Sequence, residues 1–220
     1  MARSGDRNVP DLASDRARGL AAVPVSRETA ARLDNLIELF LKWQRTTNLV
    51  GPSTVSRLWT RHVADSAQLV GLAPEARNWI DLGSGSGFPG LVVACQLAGI
   101  PGSRVHLVES NAKKAAFLRE AGRALSLPSL VHATRIEDFI ERFAQPIEVI
   151  TARALAPLDK LLGYAEPLLK KGAQGLFIKG QDVEAELTEA SRYWNIDAAL
   201  VPSRTNPQGR IVVVRGAERR

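Results

Sequence analysis

A chain of 220 residues with 45% hydrophobic and 24% charged residues has the size and composition of one globular domain with room for an extension. The single cysteine, the charged N-terminus and the short apolar runs argue against an internal disulfide framework, a secretory signal and a membrane span, and predict a cytoplasmic protein. The net charge of +6 suits a polyanionic partner such as RNA, although a solvated basic surface has the same composition.

Three regions follow one another along the chain. Residues 1–25 carry charged residues and proline without periodicity, and we expect a mobile N-terminal segment there. In residues 26–73, Ser26 is a suitable N-cap, and apolar residues then recur at three- and four-residue spacing. This pattern predicts two or three helices, packed as an N-terminal helical extension on a main domain of residues 74–220.

From residue 74 onward, short apolar runs alternate with helical patterns. Five such runs, the first being "NWIDLG", predict parallel strands joined by right-handed helical crossovers. The last two runs, "NIDAALVPSR" and "GRIVVVRG", are separated only by "TNPQ", which permits an antiparallel hairpin and forbids another crossover. The predicted fold is α/β, with a Rossmann-like, mostly parallel seven-stranded sheet and a C-terminal antiparallel hairpin.

A glycine-rich loop follows the first predicted strand in "WIDLGSGSGFPG". Gly83, Gly85 and Gly87 allow positive φ and the close approach of a ligand, and the loop lies where such sheets bind ligands. A simple connecting turn is the structural alternative. A Walker A loop is excluded because no Gly-Lys-Ser/Thr follows, whereas a dinucleotide site stays open because "GSGFPG" satisfies G-x-G-x-x-G.

Asp81, two residues before the first glycine, discriminates between the cofactors. A carboxylate facing a pyrophosphate would be repelled, whereas the same carboxylate would attract a cation. S-adenosylmethionine carries a sulfonium and an ammonium group and no phosphate, so Asp81 favours this cofactor. Glu109, at the end of the second strand, can accept both ribose hydroxyls of either cofactor and therefore does not discriminate.

Two later strands add candidate residues. After the third strand, Ile136 can pack on an adenine while Glu137 or Asp138 orders its amino edge, although acids are also favoured in any first helical turn. Arg153 ends the fourth strand, where a methyl donor and its acceptor would meet. It is the predicted catalytic residue and could grip the methionine carboxylate or an RNA phosphate, with a surface ion pair as the alternative.

Six motifs together resemble a known family: "WQRTTNLV", "RHVADS", "DLGSGSGFPG", "RIEDF", "TARA" and "FIKG". On these motifs, over roughly residues 30–215, the chain resembles the ribosomal small-subunit methyltransferase G family, also called glucose-inhibited division protein B. The resemblance implies a class I methyltransferase that uses S-adenosylmethionine to methylate guanine N7 in the decoding-centre loop of 16S ribosomal RNA. It places cofactor contacts on Gly83, Phe88, Ile136, Glu137 and Arg153.

The residues agree with this chemistry. Guanine N7 already has a lone pair, so no base must remove a proton before it attacks the methyl group. The chain lacks the Asn/Asp-Pro-Pro-aromatic motif of exocyclic-amine methyltransferases, and Cys95 lies within a helical pattern rather than where a covalent route would need it. Catalysis would then be mainly alignment, on a guanine splayed out of any RNA helix.

Basic residues offer contacts for 16S ribosomal RNA or the small ribosomal subunit, and no obligate protein partner is expected for what should be a monomer. The chosen RNA contacts are Arg61, His62, Lys113 and Lys179, for which a solvated helix face is the alternative. The three histidines lack metal-ligand spacing, so no metal is expected. Competing functions are a small-molecule or protein methyltransferase, a nicotinamide-dependent oxidoreductase and a non-catalytic RNA-binding subunit.

Overall fold

The computed structural model describes residues 12–220, which contain eight α-helices. These are α1 (Leu12–Ala22), α2 (Arg27–Gln44), α3 (Asp65–Ala67), α4 (Gly90–Leu97), α5 (Ala112–Ala124), α6 (Ile136–Arg142), α7 (Leu158–Leu169) and α8 (Val183–Ala190). Between α2 and α3 the chain forms a 3₁₀ helix, Pro52–Arg57, and then a π-helix, Trp59–Ala64, named the π turn below. A second 3₁₀ helix, Val70–Leu72, precedes the sheet.

Seven strands form one sheet in the order β3-β2-β1-β4-β5-β7-β6. They are β1 (Asn78–Leu82), β2 (Arg104–Val108), β3 (Ser129–His132), β4 (Val149–Arg153), β5 (Gln174–Lys179), β6 (Trp194–Pro202) and β7 (Arg210–Arg219). The first five strands are parallel, while β7 pairs antiparallel with both β5 and β6. The predicted five parallel strands and the terminal antiparallel hairpin are confirmed.

Apolar layers cover both faces of the sheet, which explains why its central strands are mostly apolar. On one face, α2 packs its three- and four-spaced residues Leu33, Leu36 and Phe40 into the same core as Phe88 and Phe117. Helices α6, α7 and α8 cover the other face. The helical residues 26–73 thus share a core with the sheet, and no helix among residues 12–220 is long and apolar enough to cross a membrane.

The N-terminal segment differs from the expectation. The sequence predicts a mobile stretch over residues 1–25, yet residues 12–22 form α1 and pack on the π turn. Residues 1–11 lie outside the described residues. Apolar periodicity could not reveal α1, because the two residues that it buries are Asp15 and Gly19.

Strand order reverses between β1 and β4, so the loops that follow these two strands diverge to opposite faces and leave a crevice at their carboxyl ends. The glycine loop follows β1, residues 154–157 follow β4, and the π turn lies across the opening beside Arg153. This arrangement brings the sequence-predicted residues to one edge of the sheet.

Candidate active site

A large cavity of about 1250 Å³ opens at the carboxyl ends of the parallel strands. Its wall includes the glycine loop, the loops after β2, β3, β4 and β5, the π turn and the β6–β7 loop. Seven of the eight predicted cofactor residues line it: Gly83, Gly85, Phe88, Glu109, Ile136, Glu137 and Arg153. The exception is Asp81.

The glycine loop has the backbone conformation that its sequence predicts. Gly83, Gly85 and Gly87 all have positive φ, at 66°, 52° and 87°. A Cβ on Gly83 would lie 2.5 Å from Leu155 Cδ1, so the loop after β4 packs directly on this glycine. A Cβ on Gly85 would meet no atom closer than 3.6 Å and would occupy open space at the cavity. Gly85 therefore leaves room for a ligand against the backbone.

Asp81 lies beneath the glycine loop, in contrast to the prediction that its carboxylate faces the cofactor. The residue is 1% exposed, and its two oxygens accept hydrogen bonds from the Thr151 hydroxyl at 2.8 Å and the Gly90 N–H at 3.1 Å. Burial raises the pKa of Asp81 to about 6, although these hydrogen bonds favour the charged form. The carboxylate fastens the loop to β4 and to the first residue of α4.

Glu109 joins two loops at the cavity wall. Its Oε2 accepts a hydrogen bond from the Gly85 N–H at 2.8 Å, and its Oε1 accepts from the Asn111 N–H at 2.7 Å. Each carboxylate oxygen has a second lone pair that can accept a hydroxyl. The side chain is therefore fixed where the sequence placed a ribose-binding acid.

The start of α6 brings Ile136 and Glu137 to the wall, whereas Asp138 does not line the cavity. The pKa of Glu137 is lowered by a hydrogen bond from its own backbone N–H and by one from the Tyr164 hydroxyl. Both interpretations of Glu137 in the sequence are therefore compatible with its position: it is an acid in the first turn of a helix, and it also faces the cavity.

Arg153 lies against the π turn rather than in an ordinary surface ion pair. Its guanidinium donates to the Arg61 carbonyl at 3.0 Å and to His62 Nδ1 at 2.6 Å, and it lies 5.6 Å from the centre of the Phe88 ring. The His62 ring stacks on the same Phe88 ring at 5.1 Å. Because Nδ1 accepts from Arg153, the neutral imidazole carries its proton on Nε2.

Asp65 connects this cluster to the β6–β7 loop. Its Oδ1 accepts hydrogen bonds from Ser203, Thr205 and Gln68 at 3.0–3.1 Å, while its Oδ2 lies 4.0 Å from Arg153. Burial raises the pKa of Asp65, and the charge of Arg153 opposes that rise. The carboxylate thus ties three cavity-lining elements together.

A partly buried ion pair shapes the loop after β4. Lys179 donates to Glu186 at 2.6 Å and to the Ala156 carbonyl at 2.7 Å, and Glu186 also accepts from the Leu158 N–H at 2.8 Å. The loop contains Ala154 at φ 51°, a left-handed conformation unusual for a residue other than glycine. This pair holds the C-terminal end of the loop at the cavity.

Known proteins are similar to this chain over most of its length. Residues 29–212 match the family model described as GidB, rRNA small subunit methyltransferase G. A Ribosomal RNA small subunit methyltransferase G from Bradyrhizobium sp. (strain ORS 278) is 60% identical over 210 residues, covering 96% of this chain and 95% of the relative. One from Nitrobacter hamburgensis is 56% identical over 220 residues, covering 100% and 85%.

The chain belongs to the rRNA small subunit methyltransferase G family. Solved structures share its fold at low identity. An O-methyltransferase from Bacillus cereus, in complex with SAH, has a TM-score of 0.58 at 18% identity, covering 92% of this chain and 96% of that one. A SAM dependent methyltransferase from Aquifex aeolicus has a TM-score of 0.54 at 14% identity, covering 80% and 97%. The predicted class I methyltransferase fold is confirmed, and family membership removes the oxidoreductase alternative.

The predicted RNA-binding residues of this rRNA methyltransferase differ in their surroundings. Arg61 is exposed at the cavity mouth, and Lys113 is exposed but does not line the cavity, whereas its neighbour Lys114 does. His62 is 6% exposed and Lys179 is already paired, so the structure offers neither as a free cation. Among residues 12–220, no group of three His, Cys, Asp or Glu side chains could hold a metal.

Three residues at the cavity were missed in the sequence. Asp65 lies within "RHVADS", one of the motifs that carried the family resemblance, so this motif contained a signal. Glu186 gave none because it is one of three glutamates in α8, and Tyr164 gave none because it lies in an apolar helical pattern outside any motif. Their roles depend on contacts with distant parts of the chain.

We expect His62 to make the protein less stable in acid. Burial, with Arg153 and Arg61 nearby, lowers the pKa of His62 to about 3, from 6.5. Below pH 6.5, His62 therefore binds a proton in the unfolded chain but not in the folded chain. The free energy of unfolding then falls by about 1.4 kcal/mol for each unit by which the pH is lowered. His62→Gln retains an acceptor for Arg153 but should remove this slope.

The measurement is chemical denaturation of both proteins between pH 6.5 and about pH 5. The remaining histidines and Asp81 titrate in both proteins, so the difference between the two slopes isolates His62. Equal slopes would mean that His62 is not held neutral by its surroundings.

Proposed function

We propose that this protein transfers a methyl group from S-adenosylmethionine to N7 of a guanine in the decoding-centre loop of 16S ribosomal RNA. The observation that carries the proposal is the state of the acids on the Arg153 side of the cavity. Asp65 accepts three hydrogen bonds, and Glu186 is paired with Lys179. Both acids are thus held by partners within the fold, and the second oxygen of Asp65 lies 4.0 Å from the guanidinium of Arg153. Such paired carboxylates suit an acceptor that already has a lone pair and needs no general base.

The cavity fits the predicted cofactor, and membership of a methyltransferase family with this sheet confirms it. Gly85 leaves open backbone, Glu109 keeps free lone pairs, and Ile136 supplies an apolar surface for an adenine. When bound, S-adenosylmethionine supplies an activated methyl group on a sulfonium. These side chains would hold it along the edge of the sheet that ends at Arg153.

The side chains around the reacting atoms are fixed before any ligand binds. Arg153 is held by the π turn, and Phe88 is covered by both His62 and Arg153. A preorganised wall of this kind costs no reordering when the acceptor arrives. The proposed role of Arg153 is therefore to orient the donor and acceptor by its fixed charge.

Cations surround the mouth of the cavity. The basic side chains in its wall that lack a buried partner are Arg57, Arg61, Lys114, Arg135 and Lys160. Phosphates paired with such residues release counterions, which makes RNA binding dependent on salt. We propose that these side chains grip the strand on either side of a splayed guanine, and that the protein acts as a cytoplasmic monomer on 16S RNA or the small subunit.

The test uses labelled S-adenosylmethionine with naked 16S RNA and with small subunits that lack the modification. We expect the label in 7-methylguanosine after nuclease digestion, and no transfer to a 16S transcript made with 7-deazaguanosine, in which carbon replaces N7. Label in another nucleoside, or transfer to the deaza transcript, would contradict the proposed target atom. No transfer to either form of the RNA would contradict the proposed substrate.

A further inference from the structure

Helix α1 contains a fully buried charge that the site described above does not use. The family model begins at residue 29, so α1 lies before the matched region. Asp15, on α1, is 0% exposed. A carboxylate is rarely buried so completely unless nearby donors compensate for its lost hydration.

The donors all belong to the start of the π turn. Asp15 Oδ2 accepts from the Trp59 N–H at 2.8 Å and the Thr60 N–H at 3.3 Å, and Oδ1 accepts from the Thr60 hydroxyl at 2.7 Å. The first N–H groups of any helix lack acceptors within that helix. Asp15 lies on another helix, yet it accepts the hydrogen bonds that a local N-cap side chain normally accepts. Arg18, 3.5 Å from Oδ1, is the nearest cation.

The π turn is also the element that holds Arg153. The Arg61 carbonyl and His62 Nδ1 accept from the guanidinium, and both groups lie within three residues of the N–H groups that Asp15 binds. Single π-helical turns are rare and occur frequently at functional sites, because the wider turn redirects the side chains that it carries. A displacement at Trp59 would therefore move both acceptors of Arg153.

The packing around Trp59 leaves little freedom for such a displacement while α1 is in place. A Cβ on Gly19 would lie 3.1 Å from the Trp59 carbonyl oxygen, so the backbones of α1 and the π turn are in close contact. The guanidinium of Arg16 covers the Trp59 ring at 5.3 Å. Helix α1 thus fixes the backbone of the π turn through the close approach at Gly19 and through the Asp15 carboxylate, whereas Arg16 lies over the Trp59 ring.

We propose that Asp15 is a positioning residue for methyl transfer, which caps the π turn and thereby fixes Arg153 over Phe88. This inference rests on the proposed role of Arg153. It gives α1 a part in the active site, whereas a merely structural Asp15 would only hold α1 on the surface.

The chain offers a matched control that tests whether Asp15 only holds α1 on the surface. Arg16 and Asp34 form a two-bond ion pair, at 2.6 and 2.7 Å, that fastens α1 to α2 without involving the acceptors of Arg153. Asp34→Asn should therefore loosen α1 while leaving the carboxylate of Asp15 on the π turn. Thr60→Val and Thr60→Ser form a second pair, because only the serine keeps the hydroxyl that donates to Asp15.

The experiment measures single-turnover methylation for Asp15→Asn, alone and combined with Arg153→Ala. We expect Asp15→Asn to slow methylation about tenfold in the wild-type background and less than about twofold in the Arg153→Ala background, because residues that act through one another are not additive. Thr60→Val should follow Asp15→Asn, while Thr60→Ser and Asp34→Asn should stay within about twofold of wild type.

A second readout needs no activity. Long-range proton–nitrogen spectra of the three imidazoles, assigned with His62→Gln, should show His62 Nδ1 as an acceptor in the wild type and a shifted signal in Asp15→Asn but not in Asp34→Asn. An Asp15→Asn effect of equal size in both Arg153 backgrounds, or an unshifted His62 signal, would overturn the positioning role. If Arg153→Ala alone left methylation unchanged while the His62 signal still shifted, the proposed role of Arg153 would fail instead.

Discussion

Arg153→Ala is expected to lower the single-turnover rate of methylation by about a hundredfold, which corresponds to about 2.7 kcal/mol of transition-state stabilisation. The substitution removes a buried positive charge from the cavity and leaves the Arg61 carbonyl and His62 Nδ1 without their donor. RNA affinity should change by less than about threefold, because a side chain that is 14% exposed contributes little to the surface that meets phosphates.

Two further variants separate the charge of Arg153 from its geometry and the methylation rate from RNA binding. Arg153→Lys keeps the charge but not the planar fork that reaches two acceptors at once, so it should recover only part of the rate. Arg57→Ala removes an exposed cation from the cavity mouth. In contrast to Arg153→Ala, it should weaken RNA binding and its salt dependence while leaving the single-turnover rate nearly intact. Wild-type turnover in Arg153→Ala would show that Arg153 serves only to pack the π turn.

Gly85→Ala should weaken the binding of S-adenosylhomocysteine at least about tenfold, or about 1.4 kcal/mol. The new methyl group would meet no protein atom within 3.6 Å, so it would occupy cavity space that the ligand needs rather than displace its neighbours. The left-handed conformation, at φ 52°, adds a strain of about 1 kcal/mol to the folded state. Titration calorimetry with S-adenosylhomocysteine measures the affinity, and thermal denaturation measures the strain.

Gly99→Ala is the matched control for Gly85→Ala. Gly99 has φ 88° and no neighbour within 4 Å of a built Cβ, and it lies in the exposed connection between α4 and β2. It should lose a similar amount of stability and bind S-adenosylhomocysteine as wild type does. Similar affinity losses in both variants would show that backbone strain, not occupation of the cavity, accounts for the effect.

The sheet could be predicted because its burial produces a distinct pattern in the sequence. Strands such as β1 and β4 are covered on both faces and are therefore mostly apolar, and the short link before β7 allows only an antiparallel return. Helix α2 was visible from its N-cap Ser26 and its regular apolar spacing, both present in the structure. Helix α1 was not visible, because the two residues that it buries fully are a carboxylate and a glycine.

The sequence predicted those site residues whose position follows from the carboxyl end of a parallel strand. Glu109 and Arg153 are far apart in the sequence, yet each follows or ends a parallel strand and so reaches the same edge. Side-chain direction could not be predicted for Asp81, since a strand buried on both faces has no polar alternation to reveal which way the carboxylate points. Lys179 was taken as free because its partner, Glu186, lies on the next helix, beyond any local pattern.

The most direct test of the whole account is nucleoside mass spectrometry of 16S ribosomal RNA from cells that lack this protein. The account predicts that 7-methylguanosine in the decoding-centre loop disappears, returns when the wild-type chain is supplied, and stays low when Arg153→Ala is supplied. An unchanged 7-methylguanosine content in cells without the protein would contradict the proposed reaction.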